Sequence, residues 1–329
     1  MKNWIIPILL IATLSLLLNA CVEGPSGGEW APTASPEPDT FAYQHLLPDG
    51  INLKLPDVPV DSSLVLRSEE NFEFDCFLGY DDQATTAKAF ALGLSSFGKT
   101  TFSSIVAWKD TVRSTMPENQ RNKIWINLWI DEDIPYYALH YLEANLRFAG
   151  FLKLYYRNLA GESLPIRLPP LVENECHAMG GRPCLRKRII SKDRQDNLQA
   201  MNLGADWAPV IRYEDFVLRP ENVYDLRVEP NGQLLLEEDA MSPDSLYESA
   251  YDFLTGPGTA TKKIFKVRVA EEVKFHHFLR TQSTLKLVYQ NVWEEVAQSM
   301  FSKPYAELER REMIEVRSKW PIVIWLDKQ

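Results

Sequence analysis

A chain of 329 residues is long enough for two domains of ordinary size or one large one, and a 45% hydrophobic share supplies a sizeable core. The formal net charge of -10 is spread along the sequence, which excludes a general nucleic-acid binder, because neutralising phosphates needs clustered Lys and Arg. One basic knot, Arg182 with Arg186, Lys187 and Arg188, could meet an anionic partner locally, and a solvated loop is its blander reading.

The N-terminus reads as a secretion signal. Lys2 gives a positive start, residues 4–18 are an uncharged apolar run, and Leu18-Asn19-Ala20-Cys21 follows, with small Ala20 directly before the cysteine. This is the pattern of a lipoprotein signal peptide over residues 1–20, in which the Cys21 thiol takes a diacylglycerol and the peptidase cuts before it. Two or three acyl chains then anchor stably where one would not. An uncleaved transmembrane anchor is the alternative, but the run is short of the about 20 apolar residues that a bilayer span needs. The expected location is the cell envelope, lipid-anchored, on the periplasmic face of the inner or the outer membrane.

Residues 21–59 are rich in Gly, Pro, Ser and Asp and are expected to form a flexible tether. A first folded block is expected over residues 60–159. Phe72-Glu73-Phe74-Asp75-Cys76-Phe77-Leu78 alternates like a half-buried strand, and Cys76 is expected buried in it. Residues 101–113 suit a helix with Thr100 or Thr101 as N-cap and Phe102, Ile105, Val106 and Val112 facing inward. Residues 124–130 are the clearest strand, with Ile124, Ile126, Leu128 and Ile130 on one face and Trp125 and Trp129 on the other, where an exposed pair would suit partner binding. Asp131, Glu132 and Asp133 then open a helix, Pro135 sits in its first turn, and Gly150 ends it before a strand at residues 151–156.

Residues 160–222 read as an irregular connector, since Pro165, Pro169 and Pro170 oppose regular elements. Cys176 and Cys184 are placed there for a local disulfide; two free thiols, or a metal site with His177, are the alternatives. A second block is expected over residues 223–329. Pro230-Asn231-Gly232 marks a hairpin, Ser242-Pro243 starts a helix, residues 264–270 form a strand, and a long helix spans about residues 275–301. A charged helix over about residues 305–317 and a strand at residues 321–325 close the chain.

The two blocks repeat one order of elements, with the stretch from Lys123 to Tyr136 lying over that from Lys263 to Phe275, which suggests a duplication. Ile130-Asp131-Glu132-Asp133-Ile134-Pro135-Tyr136 and Ala270-Glu271-Glu272-Val273-Lys274-Phe275 resemble the periplasmic domain of the ExbD/TolR family, the stator-associated subunits of proton-driven Ton and Tol systems. Tyr289, residues 301–308 and Lys319-Trp320-Pro321-Ile322-Val323-Ile324 resemble the C-terminal extension of ExbD proteins from Bacteroidetes-like bacteria. The likeness covers about 100 residues of the second block well and about 100 of the first loosely, and the order of the motifs carries it. It implies an α+β chain of two tandem small mixed-sheet domains, each packed by two helices, and implies TonB/Tol-like or motor-complex partners, with peptidoglycan as a further candidate. The family's transmembrane carboxylate is missing, because residues 1–20 contain no Asp or Glu, so proton relay in the membrane is excluded for this chain.

Enzyme readings find little support. His45, His140, His177, His276 and His277 lie in no nucleophile, zinc or phosphate motif, and the Asp131, Glu132 and Asp133 run suits a helix dipole better than a hydrolase carboxylate pair. The expectation is therefore a non-catalytic binding or scaffolding lipoprotein with no cofactor, no metal and no catalytic residue, tethered to a membrane through Cys21. An envelope hydrolase or metal-dependent enzyme on an unrecognised fold is the alternative.

Overall fold

The computed structural model describes residues 43–60, 71–84, 89–168, 220–258, 263–322 and 324–328. Cys21, Cys176, His177, Cys184 and the basic knot lie outside them, as do residues 1–20, where a signal peptide is expected. In the first half, Ile51–Asn52 (β1) pairs with one end of Phe72–Asp81 (β2), which continues antiparallel into Phe90–Leu94 (β3) and then Gly98–Thr100 (β4). Helix Ile105–Ser114 (α1) leads to Ile124–Ile130 (β5), parallel to β2, and helix Tyr136–Ala149 (α2) leads to Lys153–Arg157 (β6), parallel to β5. Ser163–Arg167 (β7) then returns antiparallel along β6.

The second half repeats this route. Val223–Val228 (β8), Leu234–Leu236 (β9) and Asp239–Met241 (β10) meander; helix Leu246–Thr255 (α3) leads to Ile264–Val269 (β11). Helices Phe275–Phe301 (α4) and Arg310–Lys319 (α5) lead to Ile324–Lys328 (β12), and both β8 and β12 lie parallel to β11. The lateral order β4-β3-β2-β5-β6 of the first sheet is matched by β10-β9-β8-β11-β12 of the second. The chain is thus α+β, with two mixed sheets and five α-helices among the described residues.

Local chemistry explains the joints. Gly150 ends α2 at φ 86°, and Gly232 turns the β8–β9 hairpin at φ 81°, both in the left-handed region that glycine enters without cost to a Cβ. Ser242 Oγ accepts from the Ser245 amide ahead of α3, with Pro243 in the first turn, as the sequence leads one to expect. Glu309 and Glu312 close a reciprocal capping box on α5. The helices cover one face of each sheet, and their buried residues join Leu78, Ile126, Leu154, Leu226 and Val267 in one apolar cluster that runs through both halves.

Several boundaries differ from the sequence reading. Residues 43–60 are not tether: Leu53, Leu55, Val58 and Val60 are buried and pack as a strap against the first sheet. Composition misled here, because the prolines that suggested a loose chain suit an extended segment laid across a sheet. The connector starts later than residue 160, since β7 accommodates Pro165 as an edge strand can. Thr101 makes no side-chain cap; a short 3-10 turn at Phe102–Ser104 precedes α1, whose buried residues are Ile105, Trp108 and Val112.

Candidate interaction site

The two halves meet where β5 and β11 give way to their helices. Tyr136 N donates to Val273 O at 2.7 Å and Phe275 N donates to Ile134 O at 2.7 Å; Tyr137 N donates to Glu271 O at 3.0 Å and His276 N donates to Glu132 O at 3.2 Å. Pro135 and Lys274 form an antiparallel bridge at the centre of this set. Every bond has its counterpart with the roles of the halves exchanged, so the seam has the self-complementary form of a two-fold dimer contact within one chain. Asp131 N to Leu78 O and Ala270 N to Val228 O repeat the same correspondence beside it.

Aromatic packing fills the seam. Tyr136 lies 4.9 Å from Phe278, and Tyr156 meets Phe275 and Phe278 edge-on at 5.5 and 6.1 Å. Tyr156 donates its hydroxyl to the buried Glu143 carboxylate. Burial, and secondly the Glu143 charge, pushes both Tyr136 and Tyr156 up, so both phenols are neutral. The acidic turn that the sequence assigned to a helix dipole serves this seam instead. The Asp131 side chain, only 6% exposed, accepts from Lys54 N at 2.7 Å and Asp133 N at 2.9 Å, which ties the strap to the turn.

Trp125 and Trp129 are not exposed anchors, being 6% and 2% accessible. Trp129 stacks with Tyr43 and Phe77, donates Nε1 to Asp75 at 2.7 Å and lies under the strap cluster of Ile51, Leu53 and Leu55. Trp125 stacks on Tyr155 at 4.2 Å with Lys153 and Arg167 over its ring. A strand apolar on both faces is covered on both faces, and β5 is buried at every position. The alternation of Ile51, Leu53 and Leu55 was the signal that could have revealed the cover.

The outer face of the second sheet is charged instead. Asp225 accepts from Arg268 at 2.8 Å and Arg227 pairs with Glu238 at 2.7 Å. Among the described residues, β4 and β7 end the first sheet, and β10 and β12 end the second. No group of His, Cys, Asp and Glu among them is placed to hold a metal ion, and no helix among them is long and apolar enough to cross a membrane. Cys76 is a fully buried free thiol, held protonated by desolvation. His276 Nδ1 lies 3.0 Å from Glu132 O, within the seam.

No protein-family model, no curated protein and no solved structure matches this chain.

Proposed function

We propose that this chain is a lipid-anchored, non-catalytic scaffolding protein of the bacterial envelope, a doubled adaptor of the ExbD/TolR type serving a Ton/Tol-like transport or envelope-tethering complex. The observation that carries the reading is the β-β-β-α-β-α order shared by both halves, each then reaching a strand parallel to the one before it, closed on itself by reciprocal main-chain bonds at the seam. A single-copy module of this kind would need a second subunit to satisfy those amides. Here one chain supplies both, which suits a part that works as a fixed platform.

The edges supply a means of binding. A sheet edge can accept another extended segment by main-chain hydrogen bonds, with alternate side chains adding specificity. β4 and β10 are three residues each and β7 carries Pro165, features that blunt an edge, whereas the five-residue β12 lacks proline. In the first half the corresponding strand β6 is paired along that side by β7. The acyl anchor on Cys21 would hold this platform at a membrane in place of the family's ion-relaying helix.

Cell fractionation of the Cys21→Ser variant tests the anchor: release into the soluble fraction is expected, and continued membrane retention counts against lipidation. Capture from detergent-solubilised envelopes tests the partner class. Motor subunits or TonB-like proteins are expected. Function that is lost on chelation would instead mark a metal-dependent enzyme.

A further inference from the structure

We propose that an exposed aromatic patch on the first half, built on Tyr137 and Tyr141, docks a cationic polypeptide segment carrying Lys or Arg. The surface is distinct from the sheet edge and independent of the anchor. Tyr137 and Tyr141 stand one turn apart on α2 and are 47% and 56% exposed, on a helix whose Tyr136, Leu139, Leu142 and Leu146 are buried. Phe102 meets the Tyr141 ring edge-on at 4.9 Å, Phe90 meets Tyr137 at 5.9 Å, and Tyr80 continues the row 5.8 Å from Phe90. Four separate elements thus deliver aromatic rings to one outward surface, and contiguous exposed patches of this kind mark contact sites.

The duplication supplies an internal control. With Tyr136 and Phe275 equivalent at the seam, Tyr137 and Tyr141 correspond to His276 and Arg280 on α4. Arg280 there pairs with Asp244 at 2.8 Å, an ordinary solvated contact. The second half therefore folds with an imidazole and a guanidinium where the first half has two tyrosines, so the scaffold itself does not call for tyrosine at either position.

Charge selects the occupant. The rim holds Asp133, whose carbonyl accepts from the Tyr80 hydroxyl at 3.0 Å, and Glu271, whose carbonyl accepts from Tyr137 N at 3.0 Å. Glu272 follows, and the side chains of Glu271 and Glu272 are exposed; Lys274, on the same rim, is paired with Asp133 at 2.7 Å. Tyrosine faces attract ammonium and guanidinium groups, and the carboxylates add to that attraction. A second copy is disfavoured, since it would set a chain of net charge -10 against its like, carboxylates facing carboxylates.

Fluorescence anisotropy with two labelled peptides tests this, one of alternating Lys and Leu and one of alternating Glu and Leu, each titrated with the full chain after Cys21. The Lys peptide is expected to bind and the Glu peptide not. Tyr137→Ala with Tyr141→Ala leaves every charge in place and should weaken the Lys peptide about fivefold or more. Tyr137→Phe with Tyr141→Phe keeps the rings and should retain binding, which separates the ring faces from any change in folding. Glu271→Gln with Glu272→Gln should weaken binding and flatten its salt dependence. Lack of binding to the Lys peptide, equal binding of the Glu peptide, or undiminished binding by the double alanine variant each overturns the proposal.

Discussion

His277 shows how one residue couples the hairpin of the second half to its long helix. A Cβ built on Gly232 would fall 2.2 Å from His277 Cε1, so glycine at the turn serves both the positive φ and the imidazole lying against it. Burial, with the neighbouring His276, Lys274 and Arg280 adding to it, lowers the His277 pKa from 6.5 to about 4. The native state therefore holds a neutral ring, and the unfolded chain takes up the proton first. Stability linked to this ring is complete above pH 6.5 and is lost as pH falls through about 4. Thermal melts across that interval should show a decline in Tm that His277→Asn makes shallower, and an unchanged pH profile in the variant would remove His277 from the account. Lys263 makes a comparable local closure, its ammonium donating to the carbonyls of Phe253, Leu254 and Gly256 at the end of α3.

Among the elements, the strap is the one whose attachment the sequence hid. Its seat is made by absent side chains: a Cβ on Gly79 would lie 2.3 Å from Asn52 O, and one on Gly93 would lie 2.8 Å from both Ile51 Cδ1 and Pro48 Cγ. Asn158 Nδ2 to Val58 O at 2.8 Å and Ser283 Oγ to Pro59 O at 2.7 Å then fasten its far end, the second bond reaching α4. Gly79→Ala forces a Cβ against the Asn52 carbonyl and should cost about 1–3 kcal/mol. The accompanying sign is faster proteolytic cleavage within residues 43–60, and cleavage at the wild-type rate would show that the strap does not depend on this seat. The strand of residues 124–130, the helix of residues 275–301 and the Asn231-Gly232 hairpin were legible because periodicity and turn chemistry act locally. The strap was not, since its short alternation at Ile51, Leu53 and Leu55 is flanked by Pro48, Pro56 and Pro59 and its partners lie far along the chain. Trp125 and Trp129 were misplaced for the same reason: a strand pattern fixes which side chains share a face, while only tertiary packing decides whether that face is covered.

At the scale of the whole molecule, the seam decides how the halves behave. Equivalent residues lie on each side of it, down to Glu143 and Gln282, buried polar side chains at matching positions of α2 and α4. The surface that would pair two separate subunits is thereby consumed within one chain, and one apolar cluster runs through both halves. The chain after Cys21 should therefore unfold in a single transition, with circular dichroism and tryptophan fluorescence coincident, since Trp129 reports the first half and Trp293 the second. The same reasoning makes it a monomer or weak dimer in light scattering. A tight homodimer would count against this account, because a seam satisfied within one chain leaves that surface with nothing further to pair.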